Sequence, residues 1–165
     1  MAENSKNYIE ELNKNGVIAF VPKGNSMWPT LKNKKQSVIV KKKDKKLRPM
    51  DVALYKRESG SNVLHRVIKT TKLGYIMCGD SQFNLEKVKE ENVYGVMTGF
   101  YRGKRYIDVR DVDYVEKVKK WYKNERLRKF YVKTFYFFED LKSLPHRVWH
   151  KLFGKKREKQ GDNND

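Results

Sequence analysis

The chain of 165 residues holds a single cysteine, Cys78. That excludes a disulfide framework and a thiolate zinc site, so an apolar core has to hold the fold. A reducing compartment is compatible with this. No run of about 18 apolar residues occurs, so no segment is built to cross a bilayer as a helix. Met1 to Asn15 is polar and charged and shows none of the apolar stretch of a secretory signal, which sets the expectation of a cytoplasmic protein. No internal repeat is visible. Acidic residues are scarce: 20 Asp and Glu stand against 38 Lys and Arg, a formal charge of +18. Such an excess calls for an anionic partner: nucleic acid, an acidic peptide or an anionic membrane surface.

Apolar residues are sufficient for a core, with aromatics at 13%. Asn7 to Leu12 is a short amphipathic helix candidate, closed by Asn15-Gly16. Strands are expected at Val17–Val21, Ser37–Val40, Val52–Tyr55, Val63–Thr70, Tyr75–Cys78, Asn92–Tyr101 and Arg105–Val109. Turn clusters such as Glu58 to Asn62 and Arg102-Gly103 separate them, with no intervening helix. The pattern predicts a mainly β fold, a small antiparallel coiled sheet or barrel-like unit over residues 16–110.

Near Asp111 the character changes. Glycine and turn clusters vanish, and apolar and basic residues recur at helical spacing up to the break at Pro145 and the closing Val148, Trp149, Leu152 and Phe153. Residues 111–154 therefore read as a basic, aromatic-rich helical extension, residues 1–15 as an N-terminal helix, and residues 155–165 as a disordered tail. Trp121, Tyr122, Phe130, Tyr131 and Trp149, interleaved with Lys and Arg, suit peripheral contact with an anionic membrane. His146 and His150 stand four apart, but no carboxylate or thiol accompanies them, so no metal is expected; nor is any cofactor.

The stretch most apt for chemistry is Lys23 to Leu31. Gly24 and Asn25 tolerate unusual backbone angles, and Pro29 fixes its own φ and restricts Trp28. Ser26 should sit on a rigid bend that aims its hydroxyl. His65 lies in the strand Leu64-His65-Arg66-Val67-Ile68, where alternation separates His65 and Val67 from Leu64, Arg66 and Ile68. Asp80 follows a strand and a glycine, a position also usual for an aspartate that caps its own turn. The order Ser, His, Asp is open to a triad, because triads are defined by roles.

These residues stand in five boxes: Gly24-Asn25-Ser26-Met27-Trp28-Pro29-Thr30-Leu31, Arg48 to Tyr55, Leu64 to Ile68, Gly74 to Ser81 with its Gly79-Asp80, and Val93 to Val96. In order and spacing, over Val17 to Ile107, they resemble the S24/S26 group of serine peptidases, which includes type I signal peptidases and autoproteolytic repressors. A histidine in place of the lysine base makes the chain similar to the Ser-His branch. The resemblance implies Ser26 as nucleophile, His65 as general base, Asp80 as acidic partner, and backbone N–H groups of Ser26 and Asn25 as oxyanion donors. It implies a serine endopeptidase that cleaves a leader, signal-like peptide or preprotein by acyl transfer. Gly24 departs from the pattern, replacing a residue that is often a hydroxyl donor to the oxyanion. Lys34-Lys35 and Met50-Asp51 stand where Gly-Asp is usual. Lys41, Lys42 and Lys43 are the substitute base, disfavoured because a solvated lysine keeps its proton. The alternatives are a catalytically silent peptide-binding module and a basic nucleic-acid-binding regulatory domain. The latter is the less favoured, since no helix-turn-helix precedes the β unit.

Overall fold

The computed structural model describes residues 8–143, and the chain divides into two compact units, Met1–Lys123 and Asn124–Asp165. The first opens with helix α1 (Tyr8–Asn15), whose buried Leu12 joins the core, and Gly16 ends it with its N–H on the Leu12 carbonyl. Eight strands follow: β1 (Val17–Phe20), β2 (Gln36–Lys42), β3 (Val52–Lys56), β4 (Asn62–Thr70), β5 (Gly74–Cys78), β6 (Glu86–Lys89), β7 (Val93–Arg102) and β8 (Arg105–Asp108). All pair antiparallel in one sheet of order β1-β2-β7-β3-β4-β5-β6. Strand β8 pairs with the far end of β7. The mainly β expectation holds. The sheet is open, with edges at β1 and β6, rather than a closed barrel.

Both faces of the sheet are covered, as β3 makes plain: Val52, Ala53, Leu54 and Tyr55 are all buried. Alternation sends Val52 and Leu54 to a core with Met27, Leu31, Val38, Leu64 and Phe100. Ala53 and Tyr55 go to a second core with Val67, Tyr75, Met77 and Val88. Register shifts at Ile39/Val40, Leu54/Tyr55 and Val67/Lys69 coil the sheet.

The sequence pattern misses β6. It is four residues long with one buried side chain, Val88, so its period is too short to stand out. Helix α2 (Val112–Lys123) closes the first unit. Helix α3 (Glu125–Ser143) belongs to the second, and begins where the Asn124 Oδ1 accepts the Leu127 N–H at 3.0 Å, an N-cap. Trp149, His146, His150 and the 155–165 tail lie outside the described residues.

Candidate active site

Ser26 occupies the tight bend between β1 and β2. The Trp28 N–H bonds the Asn25 carbonyl, the Leu31 N–H bonds the Met27 carbonyl, and the Trp28–Pro29 peptide is cis. Met27 and Leu31 anchor the bend in the core. A second loop braces it from behind: the Ser81 N–H reaches the Ser26 carbonyl at 2.9 Å, and Ser81 Oγ donates to the Asn25 carbonyl at 2.7 Å. Gly79 is required for this approach, since a Cβ there would lie 2.6 Å from the Ser26 carbonyl oxygen. Tied through its carbonyls, the bend leaves the N–H groups of Asn25 and Ser26 without a protein acceptor among the described residues. The backbone at position 24 calls for glycine. Its φ is +95°, which an L side chain rarely adopts, and its N–H is held by Asn33 Oδ1.

Ser26 and His65 line one groove of about 880 Å³, with Tyr8, Phe20, Leu54 and Leu64 supplying apolar wall. Lys41, Lys42 and Lys43 do not line it. No hydrogen bond joins Ser26 Oγ to the imidazole among the described residues. His65 is almost wholly buried, at 1% exposure. Its Nδ1 lies 3.1 Å from the Tyr55 hydroxyl and 3.3 Å from Glu86 Oε1. Tyr55 spends its one proton on Glu86 Oε2 at 2.9 Å, so its oxygen can only accept, and Nδ1 must carry the imidazole hydrogen. Nε2 is then the basic nitrogen, and among the described residues it has no hydrogen-bond partner.

Burial lowers the His65 pKa, while the Glu86 charge works to raise it and Arg57 to lower it; the net is downward, so the ring is neutral at neutral pH. Burial pushes the Glu86 carboxyl up, but hydrogen bonds from Arg57 and Tyr55 outweigh this and hold it below the usual range. Arg57 Nε donates to Glu86 Oε2 at 2.8 Å, and Nη2 to Oε1. Burial, followed by the Glu86 contact, keeps the Tyr55 phenol protonated well beyond its ordinary value.

Asp80 plays a different part from the one the motif implies. Among the described residues its carboxylate makes no hydrogen bond to His65. The fully buried Asp80 carboxylate takes Arg66 Nε and Nη2, each at 2.7 Å, the Tyr122 hydroxyl at 2.8 Å, and the Thr30 hydroxyl. Burial alone would raise its pKa, but Arg66 prevails and holds it low. Arg66 also donates to the Met50 carbonyl at 2.8 Å and the Tyr114 hydroxyl at 3.3 Å. Asp80 therefore organises the bend around Ser26 rather than the imidazole. The acid beside His65 is Glu86, which the sequence reading overlooks together with its strand; the alternation of Glu86 and Val88 was the available signal.

Trp121 and Tyr122, expected at a membrane, are engaged inside this network. Trp121 Nε1 donates to the Asp80 carbonyl at 2.9 Å, and its ring meets that of Trp28 edge-on at 5.7 Å. Phe130 and Tyr131 are exposed on α3. Met50 and Lys34 both hold positive φ, 78° and 54°.

Among the described residues no three His, Cys, Asp or Glu side chains group closely enough to hold a metal ion. No family model, curated protein or solved structure matches the chain.

Proposed function

We propose that the protein is a serine endopeptidase that cleaves a leader or signal-like peptide by acyl transfer. The observation that carries the reading is the shared groove: a serine on a braced bend and a neutral histidine with its Nδ1 hydrogen committed and its Nε2 lone pair uncommitted. Peptide binding draws the two together. His65 Nε2 takes the Ser26 proton as Oγ attacks the carbonyl, and the Ser26 and Asn25 N–H groups receive the oxyanion. Glu86 and Tyr55 steady the imidazolium, as the acid of a triad does. Collapse of the intermediate returns the proton from Nε2 to the leaving amine, and water then hydrolyses the acyl-enzyme. The reading includes a cytoplasmic enzyme held peripherally at the inner face of the membrane; among the described residues no helix is long and apolar enough to cross one.

A second reading, a catalytically silent peptide-binding module, is favoured by Gly24 and by the missing Oγ–imidazole hydrogen bond. A fluorophosphonate probe separates the two. The peptidase is labelled at Ser26, and Ser26→Ala and His65→Gln abolish labelling. An unlabelled but folded native protein supports the silent module.

A further inference from the structure

The charged and aromatic surface that the peptidase chemistry leaves unused lies on α3. Leu127, Phe130, Tyr131, Phe137 and Phe138 are each 48–63% exposed. At about 100° per residue they fall within roughly a third of the helix circumference. Between them Thr134 turns its hydroxyl back onto the Phe130 carbonyl at 2.9 Å, so the stripe is not broken by an outward polar group. The rings pair edge to face, Phe130 with Tyr131 at 5.9 Å and Phe137 with Phe138 at 5.6 Å.

Cations stand beside this stripe. Arg126 and Lys133 lie along one margin. Glu125 and Glu139 fall on the far side, and each holds a cation of the helix in an ion pair, Lys129 and Lys142 respectively. An apolar aromatic band with cations along one margin, on a chain of formal charge +18, complements the headgroup boundary of an anionic bilayer.

We propose that α3 docks on an anionic bilayer surface through the Leu127–Phe138 stripe, with Arg126 and Lys133 at the headgroups. The inference is independent of the peptidase chemistry: Ser26 labelling by a soluble probe and lipid binding are separate readouts.

The full chain is to be sedimented with vesicles of phosphatidylcholine alone and of phosphatidylcholine with phosphatidylglycerol. It should bind the anionic vesicles and leave the neutral ones. Replacing Phe130→Ser together with Phe137→Ser should cut binding roughly tenfold or more. Arg126→Gln with Lys133→Gln should cut the anionic preference several-fold while leaving circular dichroism unchanged. Because the serine pair could unfold the helix, a conservative Phe137→Trp variant is added, and its extra fluorescence should be quenched by brominated lipid in anionic vesicles. Three outcomes overturn the proposal: no vesicle binding; equal binding by the serine variant, which would make the overall charge sufficient; or a dimer in ultracentrifugation that the serine pair dissolves while vesicles are ignored.

Discussion

The Glu86 carboxylate lies 3.3 Å from Nδ1 of His65, although the two residues come from β6 and β4, strands separated in the sheet by β5. The Tyr55 hydroxyl, bonded to both, ties the pair together. If Glu86 steadies the imidazolium, Glu86→Gln should slow Ser26 labelling on the order of tenfold to a hundredfold. Circular dichroism should stay unchanged. A variant labelled at the native rate would remove Glu86 from the chemistry.

Asp80→Asn should act on stability first. It leaves the Arg66 guanidinium buried without its counter-charge, a change that costs about 3–5 kcal/mol. Replacing both Arg66 and Asp80 by leucine should be less damaging than the sum of the single replacements. Urea unfolding midpoints with constant slope would measure both effects.

The pH response should separate these sites. The folded pKa of His65 lies below its ordinary 6.5, so below that pH the unfolded chain binds more protons and stability falls as pH falls. Above 6.5 the ring is neutral in both states and contributes nothing. The Asp80 contribution is present above its ordinary 3.8 and is lost only in stronger acid, through its lower folded value. Denaturation measured against pH should therefore show an upper loss that His65→Gln removes and a lower one that it leaves. Ser26 labelling should follow the upper limb alone, and Glu86→Gln should move that limb to lower pH.

Met50 holds φ +78° while its carbonyl receives Arg66 and its N–H bonds the Val67 carbonyl. Left-handed backbone costs a residue with a Cβ about 1–2 kcal/mol. Part of that is offset in a glycine variant by its freer unfolded chain. Met50→Gly should therefore raise stability by about 0.5–1 kcal/mol, read as a higher urea midpoint. A fall would mean that the Met50 side chain contributes more than its backbone loses.

Most strands were legible because glycine and turn clusters separate short β-branched runs, as at Glu58 to Asn62 before β4. Ser26 and His65, each in a distinctive sequence box, line one groove. The acid at Nδ1 was not legible. Asp80 stands in the more conspicuous motif, and which of two carboxylates faces His65 depends on which face of β4 each neighbour covers. Likewise, the helical spacing of Trp121 and Phe130 is alike on paper. Only packing distinguishes the ring that bonds the Asp80 carbonyl from the one that meets solvent.

Helix α2 gives the molecule a boundary that strand counting would misplace. A chain stopped at Asp111 would retain all eight strands yet forfeit the phenol at Asp80 Oδ1, the indole at the Asp80 carbonyl and the ring beside Trp28. The smallest piece that keeps the serine bend fully supported therefore extends through Lys123, and trimming for expression or for mimicry should respect that end.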